Sequence, residues 1–100
     1  MGGNIWVTIM AHKQFMKMSE AKILLYLDNV SPNLRYAAAI STKLGIDYKY
    51  CIQMLKAMAY KKWLDIHRFG GRTFYKTNKQ TPIQEATKVH QRGAQLELKE

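Results

Sequence analysis

The sequence predicts a mainly α-helical domain that carries one small β-hairpin. Apolar residues repeat at helical spacing in three separate segments, which predicts helices that each bury one face. A pair of glycines, Gly70-Gly71, separates two short runs with the pattern of strands. The chain has 100 residues and a hydrophobic fraction of 47%, which is enough for one modest core and too little for two. We therefore expect a single compact unit.

Residues 1–18 form an N-terminal arm whose secondary structure the sequence leaves open. Ile5, Val7 and Ile9 alternate with other residues as in a short strand. The apolar pattern continued to residue 18 fits a helix equally well. The arm has an apolar side in either case, and we expect it to be a possible dimer contact.

Residues 19–80 hold the predicted helices of the core. Ser19 can cap a first helix, which ends at Asp28-Asn29. A short second helix runs roughly from residue 36 to residue 44. Gly45 follows it, at the point where a helix end favours a residue of left-handed conformation.

Asp47 is the predicted N-cap of a third helix, over about residues 47–62. Its carboxylate can accept backbone N–H bonds and complement the positive end of the helix dipole. The apolar stripe of this helix consists of Cys51, Leu55 and Met58. Since Cys51 is the lone cysteine, we expect it to be a small core residue in a reducing compartment.

The hairpin is predicted over residues 64–77, and a last helix over residues 81–100. Pro82 suits the first position of a helix, and Thr81 with Gln84 forms a capping box. This C-terminal helix has an apolar side and is the second candidate dimer surface.

The positive charge of the chain is concentrated in one stretch. The formal net charge is +9, and the segment 48–80 holds eight basic residues against a single acid, Asp65. Seven of the nine net charges therefore lie in about a third of the chain. Such a patch indicates a polyanionic partner. No apolar run approaches the ~20 residues that a membrane-spanning helix needs, so we expect a cytoplasmic, nucleoid-associated protein without membrane contact.

The sequence offers little that is typical of an enzyme. The acids and histidines show no paired spacing, and neither a nucleophile elbow nor a phosphate-binding glycine loop is present. Three widely spaced histidines and one cysteine give no zinc-ligand pattern. We expect no catalytic activity, no cofactor and no metal.

The order of these elements resembles the winged helix-turn-helix domain. The resemblance is closest along LGIDYKYCIQMLKAMAYKKWLDI, residues 44–66, in which Leu-Gly-Ile ends a short helix and a capping Asp opens the next. It covers roughly residues 19–79 and is greatest to MarR-type and related prokaryotic regulators. The chain departs from the family at Lys62-Trp63, where many relatives have Gly followed by a small aliphatic residue. The resemblance implies a three-helix core plus wing, here followed by an extra C-terminal helix.

The resemblance also implies which residues bind DNA. The third helix would enter the major groove and the hairpin, or wing, would lie on the backbone or in the minor groove. The residues assigned to the groove are Tyr48, Lys49, Tyr50, Gln53 and Lys56, and those assigned to the wing are Arg68, Arg72 and Lys76. Tyr48 and Tyr50 have an equally good alternative, which is to pack on the wing or the first helix.

We thus expect a regulator that binds double-stranded DNA as a homodimer, because one small domain makes few base contacts and two domains read paired half-sites. Two alternatives remain. A winged helix can serve as a protein-contact subunit of a transcription or replication assembly, and a nucleoid protein can bind DNA without sequence preference. No residue indicates a small-molecule effector.

Overall fold

A computed structural model describes residues 16–99, with the side chains of residues 16–92. It contains four helices and a two-stranded hairpin. In chain order these are α1 (Met18–Asn29), a 3-10 turn (Pro32–Leu34), α2 (Ala37–Leu44), α3 (Tyr48–Tyr60), β1 (Leu64–Phe69), β2 (Arg72–Thr77) and α4 (Ile83–Lys99). Residues 1–15 of the predicted N-terminal arm lie outside the described residues, together with the dimer contact predicted there.

The fold is the predicted winged helix-turn-helix, with α1, α2 and α3 as the helical core, the β1–β2 hairpin as the wing and α4 as the extra helix. One apolar cluster joins α1, α2, α3, the wing and α4. Its largest fully buried side chains are Ile23, Leu24, Leu27, Ile40, Leu55, Met58 and Cys51. The predicted core stripe of α3 is thereby confirmed, with Met54 as a further buried member.

The start of α1 differs from the prediction. Ser19 does not cap the helix, because α1 already begins at Met18 and the backbone N–H of Lys17 donates to Glu20 Oε1 at 2.9 Å. Glu20 is buried, and its carboxylate is a stronger hydrogen-bond acceptor for the backbone at the start of α1 than the Ser19 hydroxyl would be. The Ser19 hydroxyl instead donates to Met54 Sδ at 3.2 Å and so links α1 to α3.

The turn between α2 and α3 follows the sequence closely. Gly45 has φ 66°, and the N–H of Ile46 bonds back to the carbonyl of Ser41 at 3.1 Å. Asp47 Oδ2 accepts the backbone N–H of Tyr50 at 3.1 Å, which confirms the predicted N-cap. This short, capped turn fixes the angle at which α3 leaves the core.

The end of α3 has a left-handed residue that is not glycine. Lys62 takes φ 69°, the only positive value at a non-glycine residue in the part of the chain that the structure describes. The N–H of Trp63 bonds to the carbonyl of Met58 and that of Lys62 to the carbonyl of Ala59, both at 3.0 Å. These two bonds are the Schellman pattern. Lysine thus adopts here the left-handed conformation that usually favours glycine, and the helix ends without one.

The wing is a tight antiparallel hairpin. Leu64 pairs with Thr77 and Phe69 with Arg72, and the two-residue turn Gly70-Gly71 has φ values of 59° and 76°. Two positive φ angles are what a turn matching the strand twist requires, so glycine suits both positions. The segment before α2 adds an isolated β-bridge to the edge of β2, which the sequence analysis did not predict. Tyr36 bridges Phe74, and the N–H of Tyr75 donates to the Arg35 carbonyl at 2.8 Å.

The capping box predicted for the last helix is not formed among the described hydrogen bonds. The Thr81 hydroxyl donates to the Trp63 carbonyl and accepts the N–H of Asn78 at 2.8 Å, so it is not available to α4. The helix begins at Ile83. Thr81 is buried and ties the start of α4 to the end of α3.

Candidate nucleic-acid interface

The solvent side of α3 carries a ridge of polar and basic side chains. Lys49, Gln53, Lys56 and Tyr60 recur at helical spacing opposite the buried stripe, and all four are exposed. Tyr60 is 87% exposed, and the sequence analysis missed it. The signal was available, because Tyr60 follows Lys56 by four residues on the same helical face. We call these four residues the α3 ridge.

The two tyrosines at the start of α3 flank this ridge on opposite sides. Tyr48 is 51% exposed and Tyr50 39% exposed, so neither is part of the core. Tyr48 lies on the side of the wing, in line with Ile52. Tyr50 follows by two residues, about 200° further round the helix, and faces away from the wing.

A groove of about 490 Å³ separates α3 from the wing. Tyr48, Ile52 and Lys56 line its helix side, and Arg72 with Thr73 lines its wing side. The structure therefore brings together three of the predicted site residues, Tyr48, Lys56 and Arg72. They meet at the N-terminal end of α2, to which Ala37 and Ala38 contribute.

Arg72 is held in place by an aromatic ring. Its guanidinium carbon lies 4.0 Å from the centroid of the Tyr36 ring, a cation–π contact. A guanidinium bound by its face keeps its N–H edges free to donate. Arg72 is therefore positioned at the rim of the groove rather than extended into solvent.

The three predicted wing residues do not form one cluster. Arg68 pairs with Thr73, whereas Arg72 pairs with Phe69, so the two arginines lie on opposite faces of the hairpin. Lys76 is four residues after Arg72 and shares its face, which we call the outer face. It borders a different cavity, together with Arg35 and Phe74.

One basic residue of the charged stretch is engaged within the fold. Lys61 Nζ lies 3.8 Å from Glu20 Oε2 and 4.5 Å from the centre of the Trp63 ring. These contacts hold the C-terminal end of α3 against α1. The charge of Lys61 is thus partly compensated locally.

Burial decides the protonation of the groups beneath the groove. It raises the pKa of the Cys51 thiol, which lies 3.9 Å from the Ala37 carbonyl oxygen. Burial also raises the pKa of Tyr75, with further contributions from Cys51 and Tyr48. Cys51 is a neutral core residue, as predicted. Within the described residues, no three histidine, cysteine, aspartate or glutamate side chains are grouped so as to hold a metal ion.

Comparison with known proteins identifies the fold. No protein-family model matches the chain, and no curated protein does. A solved structure described as a predicted DNA-binding transcriptional regulator from E. coli matches with TM-score 0.67 and 14% identity, over 90% of this chain and 93% of that one. RV1404 from Mycobacterium tuberculosis matches with TM-score 0.64 and 15% identity, over 98% and 72% of the two chains. These similarities establish the fold.

None of the described helices combines the length and the hydropathy that crossing a membrane requires.

Proposed function

We propose that the protein is a DNA-binding transcriptional regulator that inserts α3 into the major groove of duplex DNA. The observation that carries this proposal is the α3 ridge, where Lys49, Gln53 and Lys56 stand exposed beside a groove that also holds Arg72. The description of the E. coli structure as a predicted DNA-binding transcriptional regulator supports the same function.

The chemistry of the ridge suits base recognition. A helix fits the major groove, and an amide side chain such as that of Gln53 can bond both N6 and N7 of adenine. The two lysines have the charge for phosphate or guanine contacts, and the hydroxyl of Tyr48 can reach phosphate. Base contacts would come from the centre of the ridge and backbone contacts from its flanks.

The wing supplies the second contact in this proposal. Arg72, held over Tyr36, is placed to bind a phosphate of the backbone that runs along the groove. Arg68 lies on the other face of the hairpin near the same tip, from which it can follow the wing into a minor groove. Lys76 lies further from the tip and is the weakest member of the predicted set.

We further propose that the protein acts as a homodimer of the MarR-type arrangement. Two copies would read half-sites about 34 Å apart and so double the number of base contacts. The arm of residues 1–18 and α4 are the surfaces that would join them. α4 packs on the core through Ile83, Ala86 and Val89, and its exposed face, which includes Gln84 and His90, would be available to a partner.

The proposal is tested by titrating fluorescent random-sequence duplex DNA with the protein at several salt concentrations. Several neutralised phosphates would give a log–log slope of roughly −4 to −8. Lys56→Ala should reduce the slope by about one unit, whereas the matched variant Lys88→Ala, at an exposed lysine of α4, should leave it unchanged.

Selection from a random library then separates the remaining alternatives. A preferred sequence supports a regulator, and uniform binding indicates a nucleoid-type protein instead. Absence of binding near 50 mM salt would rule out the DNA-binding function and favour the protein-contact subunit.

A further inference from the structure

The outer face of the wing sheet carries a row of aromatic rings, of which the proposed duplex contact uses only Tyr36, as the support of Arg72. Tyr36 bridges Phe74, and Phe74 pairs with His67 across the hairpin. Directly opposed residues share one face of a sheet, so the three rings form a line across the hairpin and the bridged segment before α2. Phe69 extends this line towards the hairpin tip.

The geometry of the rings shows an ordered cluster. The Tyr36 and Phe74 centroids are 5.9 Å apart with planes at 78°, an edge-to-face contact. The His67 and Phe69 rings are 6.4 Å apart with planes at 16°, close to parallel. Phe69 is nonetheless 72% exposed. A phenylalanine this exposed contributes little to the core, so its ring face is open to a ligand.

Basic groups surround these rings. Arg72 and Lys76 precede and follow Phe74 by two residues on the same face, and Asp65 is the acid among its neighbours. Arg35 borders the face as well, and its Nε atom is buried without a hydrogen-bond partner among the described residues. The surface thus alternates flat apolar rings with cations.

The same face is concave. Its cavity of about 690 Å³ is lined by His67, Phe69, Phe74 and Lys76 and closed on one side by Pro32 and Asn33. Cavities of about 300–1,000 Å³ lined by aromatic groups and a few polar ones are typical of ligand sites. The space is sufficient for a base with its sugar.

We propose that this outer face is a second nucleic-acid site, which stacks the unpaired bases of a single strand while Arg35 and Lys76, which line the cavity, bind its phosphates. Aromatic rings with interleaved cations are how sheet surfaces bind single strands, since every base has a flat face. A protein partner fits less well, because cations interrupt the apolar surface. This function goes beyond the proposed duplex binding and uses a different side of the wing.

The first test compares two labelled ligands, a single-stranded 12-nucleotide oligothymidine and a 12-base-pair duplex, by fluorescence anisotropy. Phe74→Leu keeps an apolar side chain but removes the ring, and it should weaken single-strand binding by about fivefold or more. Its duplex affinity should stay at the wild-type value. Gln53→Ala is the matched control on the α3 ridge and should leave single-strand binding unchanged.

The outcomes separate this inference from the proposed function. If Phe74→Leu binds oligothymidine as tightly as the wild type, the strand is held by charge alone and the second site is overturned, while duplex binding stands. If the wild-type protein does not bind the duplex but binds oligothymidine in a way that depends on Phe74, the proposed duplex function is overturned and the second site stands.

A second measurement covers the case in which Phe74→Leu fails to fold, which a thermal melt reveals. The wild-type protein is irradiated with an oligonucleotide containing 5-iodouracil, and the crosslinked peptide is identified by mass spectrometry. Crosslinks at His67, Phe69 or Phe74 support the site. Crosslinks confined to α3 would overturn it.

Discussion

At the scale of single residues, Lys62 shows where sequence and backbone disagree. A side chain in the left-handed conformation costs about 1–2 kcal/mol because Cβ approaches the following carbonyl. Lys62 nevertheless has φ 69° because the Schellman bonds of Lys62 and Trp63 require it. The fold overrides the local preference of lysine, and the position retains strain.

Lys62→Gly should stabilise the protein. Relief of the left-handed strain gains about 1–2 kcal/mol, while the flexibility of glycine in the unfolded chain offsets about 0.5–1 kcal/mol. We expect a net increase of about 0.5–1 kcal/mol in the free energy of unfolding, measured with urea. Gly45→Ala is the converse control: φ is 66° and a Cβ there meets nothing within 4 Å, so the loss of about 1–2 kcal/mol would come from backbone strain alone. If both variants changed the free energy of unfolding in the same direction, this account would be contradicted.

Gln53 is the residue of the α3 ridge with the most specific chemistry. Gln53→Ala should reduce discrimination at one base pair by about 1–3 kcal/mol while leaving non-specific affinity nearly unchanged, because it removes a base contact and no charge. Competition between the selected site and its single-base variants measures this. A uniform loss on all sequences would show that Gln53 acts only through the backbone.

At the scale of elements, Asn78 joins three segments at the exit of the wing. Its side-chain N–H groups donate to the Lys62 carbonyl at 3.1 Å and to Asp65 Oδ1 at 3.0 Å, and its Oδ1 accepts the N–H of Gln80 at 2.7 Å. The end of α3, the start of β1 and the approach to α4 are thus tied to one amide. This junction sets the angle between the wing and α3.

Asn78→Ala should lower the free energy of unfolding by about 0.5–1.5 kcal/mol, because it removes the three side-chain hydrogen bonds that join these segments. The neighbouring exposed Lys79→Ala should change it by less than about 0.5 kcal/mol. Thermal and urea unfolding of both variants measure the difference. Comparable small changes in the two would mean that water replaces the amide without penalty.

The elements differ in how far the sequence predicts them. The helices and the hairpin were predictable, because apolar spacing, Gly45 and Gly70-Gly71 are local signals. The strand pairing of Tyr36 with Phe74 was not, since one residue that pairs only in the tertiary structure has no local pattern. Ser19 and Thr81 were misassigned as caps because distant partners, Met54 and the Trp63 carbonyl, take their hydroxyls.

The candidate site was predictable in composition and less so in arrangement. The exposed positions of α3 follow from its period, so Lys49, Gln53 and Lys56 could be assigned from sequence. The separation of Arg68 from Arg72 depends on hairpin register. The stacking of Arg72 on Tyr36 depends on a tertiary contact and has no sequence signal.

At the scale of the whole molecule, the core contains two ionisable groups, the Cys51 thiol and the Tyr75 phenol, that are buried in their neutral forms. Cys51 on α3 and Tyr75 on β2 are both buried in the cluster that joins the helices to the wing. Burial raises the pKa of Cys51, and burial together with the nearby Cys51 and Tyr48 raises the pKa of Tyr75. The packing of the wing on the helices therefore requires a protonated thiol and phenol.

Alkaline pH should consequently destabilise the entire fold. In the unfolded chain Cys51 loses its proton near its ordinary value of 9.0, while in the folded protein the raised pKa retains it. The folded state then binds more protons than the unfolded state. The contribution of Cys51 to the free energy of unfolding is therefore constant well below pH 9 and falls as pH rises beyond it, by up to about 1.4 kcal/mol per pH unit for one proton. Urea unfolding between pH 7 and pH 11 measures this slope. Cys51→Ala, compared with its own value at pH 7, should lose the decline that begins near pH 9 and keep the later one, which Tyr75 contributes from about its ordinary value of 10.0. An unchanged slope in Cys51→Ala would show that the thiol ionises without disturbing the core.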